Sequence, residues 1–462
     1  MNKLTKGEWL RLSIIFLPNL MISLNTYMLQ VALPEIQHTL GVPFNDAQFI
    51  LTGYSLGLAT CLIISSFLGN RLGQKKVLLG GVLLFLILSI IGGSTTSANL
   101  LIMVRIGQGV SGALIQPQVM VLMREGFSKE KQPIIFSVYG MVIGLGFTFG
   151  LLLGGLIMEW NFFGLGWRNI FYFNIPICLI ILCLNYLIPR KVPMTTSSLD
   201  IPGSFLLMLG SFILVYHIIY FSGVESSVFI VIGLVILLIF WQTEQKRKQD
   251  QKNVLVDFLV FKEVDFFKGI MSVFSVYMSM FGFFFLITYY AQLGLSKTVY
   301  ETGFIFLPLG IGFTVASITS SKWLKRLGNR LLMIGTVGMI VSILLLMITL
   351  ILQPDLYAPF NLLLLCLYGI FLGITTTPLI GIILMKVSSD FSALASSVIN
   401  MMMYFSNIIG VAFIGGFFKR VEYNTHSYLN AFQLALIGVI ICLLLTAICF
   451  YSLFHRKRNS AY

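Results

Sequence analysis

The chain has 462 residues, 57% of them apolar and only 10% charged, with a mean hydropathy of +0.94 and a formal net charge of +13. A soluble protein of this size carries about 25% charged residues, so a soluble enzyme or binding module is excluded and a membrane-embedded chain is expected. The six cysteines all fall inside apolar runs and none forms a C-x-x-C pair, which points to packing and away from a disulfide framework or a zinc site.

Apolar stretches long enough to cross a bilayer recur along the whole length. The first covers 12–34, and with no cleavage signature behind it we read a retained helix, not a signal peptide. Fourteen spans are expected: 12–34, 47–69, 76–97, 100–123, 133–158, 167–188, 202–222, 227–243, 266–289, 300–320, 331–352, 357–380, 391–417 and 430–454. The eighth is short, and only a few polar residues separate the third from the fourth.

With the N-terminus inside and this count, 25 of the 30 basic residues fall on the inner side. Such a bias is what orients membrane helices, and an odd number of spans would break it. The net charge therefore reflects topology and an anionic inner leaflet, not a nucleic-acid surface. The expected address is the plasma membrane, with both termini cytoplasmic.

An internal repeat is visible. Asn70-Arg71-Leu72-Gly73-Gln74-Lys75-Lys76 follows the second span, and Lys325-Arg326-Leu327-Gly328-Asn329-Arg330 follows the tenth. Each is a tight basic turn, and both lie on one side of the membrane. The expected organisation is an all-α integral membrane protein with a six-helix bundle over 12–188, an inserted helix pair over 202–243, a cytoplasmic linker over 244–265 and a second six-helix bundle over 266–454. Parallel repeats of this kind place a substrate site at the bundle interface.

Arg105 falls inside the fourth span with no acidic residue near it in sequence. Arginine stays charged at any relevant pH, and ionisable residues at such depth are costly and functional by default. Gly107, Gly109 and Gly112 match G-x-G-x-x-G, but no strand precedes them and no βαβ unit surrounds them, so a dinucleotide site is rejected. No Walker loop and no nucleophile or metal cluster is visible, which argues against an ATP-driven pump or an enzyme and for a protein without cofactor or metal.

Several motifs, in order, resemble those of the major facilitator superfamily in its fourteen-helix drug:proton antiporter branch. Ser66 to Lys76 resembles the loop G-x-L-A-D-R-x-G-R-R/K, and Arg105-Ile106-Gly107-Gln108-Gly109 resembles R-x-x-Q-G of the fourth helix. Gly146, Gly150, Gly154 and Gly155 resemble the antiporter signature G-x-x-x-G-P-x-x-G-G of the fifth. Leu151 stands where that signature has proline, which removes its kink. Trp167-Arg168-Asn169-Ile170-Phe171 with Asn174 and Pro176 resembles W-R-W-I-F-x-I-N-x-P, and Ala32-Leu33-Pro34 resembles the A-L-P that ends the first helix. The resemblance covers essentially the whole chain. It implies a multidrug efflux transporter with a conformational latch at Asn70, Arg71, Gly73, Lys75 and Lys76, and gating roles for Gln108, Gly109, Gly146, Gly150, Gly154 and Gly155.

The chain departs from that family at its carboxylates. Asn25 stands nine residues before Pro34, where the family carries aspartate, and Asn70 replaces the loop aspartate. All seventeen acidic residues can be placed near span ends or in loops. Proton coupling then has to use Glu159, Glu35 or another boundary carboxylate, or else is weak or lost. A permanently cationic drug would meet Arg105 with no compensating carboxylate, so neutral or anionic amphipathic substrates are expected. His217, inside the seventh span, is read as a packing residue.

The expected substrate contacts are Asn25, Gln30, Arg105, Gln116, Tyr290, Asn400, Met403, Tyr404 and Asn407. The last four share one helical face, and Met-rich aromatic surfaces suit promiscuous ligands. Asn19, Tyr289 and Gln292 are further polar or aromatic positions within spans. The expected function is secondary export of small drug-like compounds by alternating access with proton antiport, by a monomer needing only lipid, proton and substrate. A dedicated exporter of one metabolite or lipid-like compound, and a transport-deficient membrane sensor, are the alternatives.

Overall fold

The computed structural model describes residues 4–189, 200–221, 224–252, 254–262, 264–385, 387 and 392–455. Lys3, Arg190, Lys191, Glu263, Lys386, Asp390, Arg456, Lys457 and Arg458, all used in assigning the sides, lie outside these residues. The described residues are helical: α1 Lys6–Leu40, α2 Phe44–Leu72, α3 Gln74–Ser94, α4 Ala98–Glu125, α5 Gln132–Trp160, α6 Arg168–Tyr172, α7 Asn174–Cys183, α8 Ile201–Ile219 and α9 Val224–Gln249. They continue with α10 Val264–Tyr289, α11 Val299–Leu327, α12 Arg330–Leu352, α13 Pro359–Leu384, α14 Ser392–Thr425 and α15 Tyr428–His455.

Thirteen of these helices are long and apolar enough to cross a membrane, and Arg168–Cys183 is a shorter apolar fourteenth. That shorter one corrects the expected sixth span, 167–188. It arrives as α6 and α7 broken at Phe173 and ends at Cys183, followed by a 3-10 turn over Asn185–Leu187. Pro176 accounts for the break, because it has no N–H to offer the carbonyl of Tyr172 one turn earlier. The short eighth span is the reverse case. It grows into a helix reaching Gln249, well past its apolar stretch.

The chain divides into two compact units. One holds residues up to Gly150 and Ile157–Asp257, and the other holds Leu151–Leu156 and everything from Phe258 onward. In the first unit α2 packs mainly on α4, and in the second α11 packs mainly on α13. Both pairs approach backbone to backbone. A Cβ on Gly57 would strike the carbonyl of Ile106, and one on Gly109 that of Tyr54. Gly312 meets Cys366 and Gly369 meets Leu309 in the same way. Small residues are the means by which helices in lipid gain close packing, because apolar burial alone gives them no drive.

Each of the two basic turns holds a glycine at positive φ. Gly73, alone between α2 and α3, has φ +93°, and Gly328, between α11 and α12, has φ +56°. Both fall where a side chain would strain the backbone.

In the first unit, α8 lies on α2, and α9 lies on α8. Phe49 meets Tyr216 and Tyr220 edge-to-face at 5.8 and 5.9 Å, and Tyr220 donates to Asp46 at 2.7 Å. His217 stacks on Phe229 with its Nδ1 2.9 Å from the carbonyl of Ile213, a packing residue as expected. The outer face of α9 leaves Val231, Leu234, Val235 and Leu238 exposed, the pattern of a helix against lipid.

Candidate functional site

The site begins at Arg105, seven residues into α4 and thus about 10 Å from its start. Its side chain is fully buried. Nη1 donates to Asn25 Oδ1 and to Gln108 Oε1, both at 2.9 Å, and Nε donates to the carbonyl of Ile50 at 3.3 Å. The guanidinium lies over the ring of Tyr54, 4.6 Å from its centre. Gln108 passes the network on by donating to Ser89 Oγ at 3.0 Å. Four helices, α1 to α4, thus meet around one cation.

Local sequence explains the geometry. Arg105 and Gln108 are three apart and share a helix face, as do Ile50 and Tyr54 at a spacing of four. Gly57 and Gly109 let α2 and α4 close to the distance at which Arg105 reaches the backbone of Ile50. These partners of the cation are all neutral: two amides, a carbonyl and an aromatic face. Such dipoles solvate a guanidinium without cancelling its charge.

The network also leaves donors over. Arg105 Nη2, Asn25 Nδ2 and Gln30 Nε2 are buried without an acceptor. Unpaired buried donors are costly, on the order of 1–3 kcal/mol each. Two of these three belong to residues bonded to each other, Arg105 and Asn25. That spot favours an electron-rich group.

The other expected contacts are dispersed. Gln116 is half-buried in α4 and makes an interaction of its own, whereas its neighbour Gln118 is buried and donates to the carbonyl and hydroxyl of Ser65 at 2.9 and 3.1 Å. Asn19 donates to Tyr139 at 3.1 Å. In the second unit Tyr290 is buried, stacked on Phe432 at 4.5 Å and bonded to the carbonyl of Pro354 at 3.3 Å. It begins a π-helical turn over Tyr290–Gly294, and Tyr289 just before it is stacked on Phe285. Asn400, Met403 and Tyr404 are half-buried along α14, with Asn400 donating to the carbonyl of Ser396 at 2.9 Å. Asn407, on the same face, is buried with an Oδ1 that receives no donor.

The turn residues divide by exposure. Asn70, Arg71 and Lys76 are exposed, while Lys75 donates to the carbonyl of Ile188 at 3.2 Å, a cation at the C-terminal end of a helical turn. On α5, Gly146 and Gly150 face Ser23 and Tyr27 of α1, and Gly154 and Gly155 are buried in the short stretch that groups with the second unit. Glu35 is half-exposed and accepts from Thr39 at 3.2 Å, and Glu159 is exposed.

Three partnerships were not anticipated: Tyr54 beneath Arg105, Ser89 behind Gln108 and Ser65 beside Gln118. Each lies on a helix neighbouring α4, and sequence periodicity shows faces but not which faces meet.

Comparison with known proteins settles the family. The description "Major Facilitator Superfamily" matches residues 15–411. The chain belongs to the major facilitator superfamily. Similar relatives include the puromycin resistance protein pur8 of Streptomyces alboniger, 31% identical over 71% of this chain and 65% of that one. This chain therefore spans slightly less than two thirds of that relative's length. The drug efflux pump JefA of Mycobacterium tuberculosis is 27% identical over 86% of this chain and 77% of its own. Among solved structures, a bacterial homologue of the human lysosomal transporter Spinster, inward-facing and unoccupied, aligns with a TM-score of 0.69 over 100% of both chains at 14% identity, a likeness of fold. As a superfamily member, the chain is a multi-span membrane transporter of small molecules, not an enzyme, and its relatives include drug efflux and resistance proteins.

Proposed function

We propose that this transporter exports small amphipathic compounds, with neutral and anionic ones favoured, across the plasma membrane by alternating access. The observation that carries the substrate class is the buried Arg105–Asn25 pair, a full positive charge held by neutral partners and left with two donors to spare. A cation brought there would face like charge without a carboxylate between them, at a cost of several kcal/mol on the order-of-magnitude scale of such sites. An acceptor-rich ligand would instead complete the bonding. The names of pur8 and JefA support export of drugs as the physiological direction.

Proton antiport is part of this reading, with Glu35 and Glu159 as the coupling groups and a monomer as the working unit. The basic residues of the turns and linker support cytoplasmic termini. Asn25, Gln30, Arg105, Gln116, Tyr290, Asn400, Met403, Tyr404 and Asn407 are the proposed substrate contacts.

Reconstitution into proteoliposomes tests both parts. Flux of an anionic and a cationic fluorescent drug is followed with and without an imposed pH gradient. Gradient-driven movement of the anionic drug, abolished in Arg105→Ala, is expected. Flux that ignores the gradient removes the antiport step, and equal flux of the cation removes the charge argument.

A further inference from the structure

The described residues bury two acidic side chains, Asp200 and Glu244, each with 1% exposure. They meet at the foot of the inserted pair. Asp200 caps α8, its Oδ1 accepting from the N–H of Gly203 at 3.0 Å. Glu244 lies three residues beyond Trp241, the last apolar residue of α9, and its Oε2 accepts from the N–H of Val256 at 2.9 Å. The remaining oxygens, Asp200 Oδ2 and Glu244 Oε1, receive no hydrogen bond. Both close on one point: a Cβ on Gly203 would lie 2.5 Å from the first and 2.6 Å from the second.

Two buried carboxylate oxygens turned to each other repel unless something positive lies between them. The cations nearby among the described residues do not neutralise both. Arg247 places Nε 3.0 Å from Asp200 Oδ2, within ion-pair range but out of hydrogen-bond alignment, and can offset only one of the two charges. Lys248 is engaged with Asp257. On α2, the other helix packed against α8, the charged residues are Arg71, which is exposed, and Asp46, bonded to Tyr220 at the far end. Among the described residues, two negative charges against one positive leave a deficit of one. Carboxyl pairs so placed hold a single proton between them.

We propose that Glu244, facing Asp200, is a proton-binding site that latches the segment after α9. With the proton bound, the pair is joined by a short O–H···O bond, and Glu244 keeps its other oxygen on Val256. With the proton gone, the two carboxylates separate, the bond to Val256 is lost and the stretch before Phe258, where the second unit begins, is released. The site does not depend on the substrate reading above.

Hydrogen exchange of the peptide containing Val256, in the purified full-length protein across pH, tests this. Corrected for the chemical rate, wild-type exchange is expected to rise about tenfold per pH unit until Glu244 is deprotonated and then to level off. Glu244→Gln supplies a permanent donor toward Asp200, so protection should stay high and flat with pH. Asp200→Asn, which retains the helix cap, should also flatten the profile and serves if the first variant does not fold. Infrared difference spectra between acid and alkaline buffer should show a protonated-carboxyl band in wild type that both variants lose. A flat wild-type profile, or a wild-type transition surviving in either variant, overturns the proposal.

Discussion

Asn25 accepts from Arg105 Nη1 at 2.9 Å, joining α1 to α4 through a neutral amide where a carboxylate would have made an ion pair. Asn25→Asp restores the charge without changing the size of the side chain. The variant is expected to accept cationic biocides and lose anionic ones. A charge-assisted partner contributes on the order of 1–3 kcal/mol, or about ten- to a hundredfold in affinity. Growth inhibition by a panel of cationic and anionic drugs reads the change, and an unaltered panel would contradict it.

Arg105→Lys should fail even though it retains the charge. The fork reaches Asn25, Gln108 and the Ile50 carbonyl at once while lying flat on Tyr54. An ammonium is a point charge and cannot reproduce this. Transport should fall to the level of Arg105→Ala while thermal stability drops by about 1–3 kcal/mol. Flux assays and unfolding in detergent measure the two effects separately.

Gly109→Val and Gly369→Val should destabilise the two units alike. Each side chain would be forced into a backbone carbonyl of the facing helix, Tyr54 or Leu309. Overpacking of this kind costs about 1–3 kcal/mol and often more. Gly80→Ala is the control, since a Cβ there meets nothing within 4 Å. It should hold or raise the melting temperature, because alanine gains about 0.5–1 kcal/mol over glycine in a helix.

Phe49→Ala should loosen α8 from α2. The ring makes edge-to-face contacts with Tyr216 and Tyr220, each contributing about 0.5–1.5 kcal/mol. Faster hydrogen exchange confined to α8 and α9, with α4 unchanged, is the expected signature. Uniform loosening of all helices would mean that the inserted pair is not a separable layer.

Much of the fold could be read from composition and periodicity. Spans in lipid must be long, apolar and internally hydrogen-bonded, so length and hydropathy nearly define them. The sixth was found, but not its break, because Pro176 interrupts a helix whose hydropathy runs on smoothly. Arg105 announced itself as a lone cation in an apolar run, and its partners Asn25 and Gln108 are residues the sequence also singles out, one as a substrate contact and one for gating. Tyr54 and Ser89 were silent, since aromatic and small polar residues are common in such helices and only the rotation of α2 and α3 selects these. Asp200 and Glu244 were read as ordinary loop-end charges. They are forty-four positions apart, and only the antiparallel packing of α8 on α9 brings them face to face.

The neutral cage around Arg105 has an electrical consequence. A guanidinium paired with aspartate is a dipole and carries no net charge through the bilayer when its helix tilts. Here the charge is whole. Moving one elementary charge through the full membrane voltage changes energy by about 2.3 kcal/mol per 100 mV, and a helix carrying Arg105 feels that in proportion to the fraction of the field it crosses. Any change of state that moves Arg105 through the field would therefore be weighted by voltage as well as by chemistry. An anionic passenger that neutralises Arg105 would cross nearly free of that weighting, while the empty carrier would return under it.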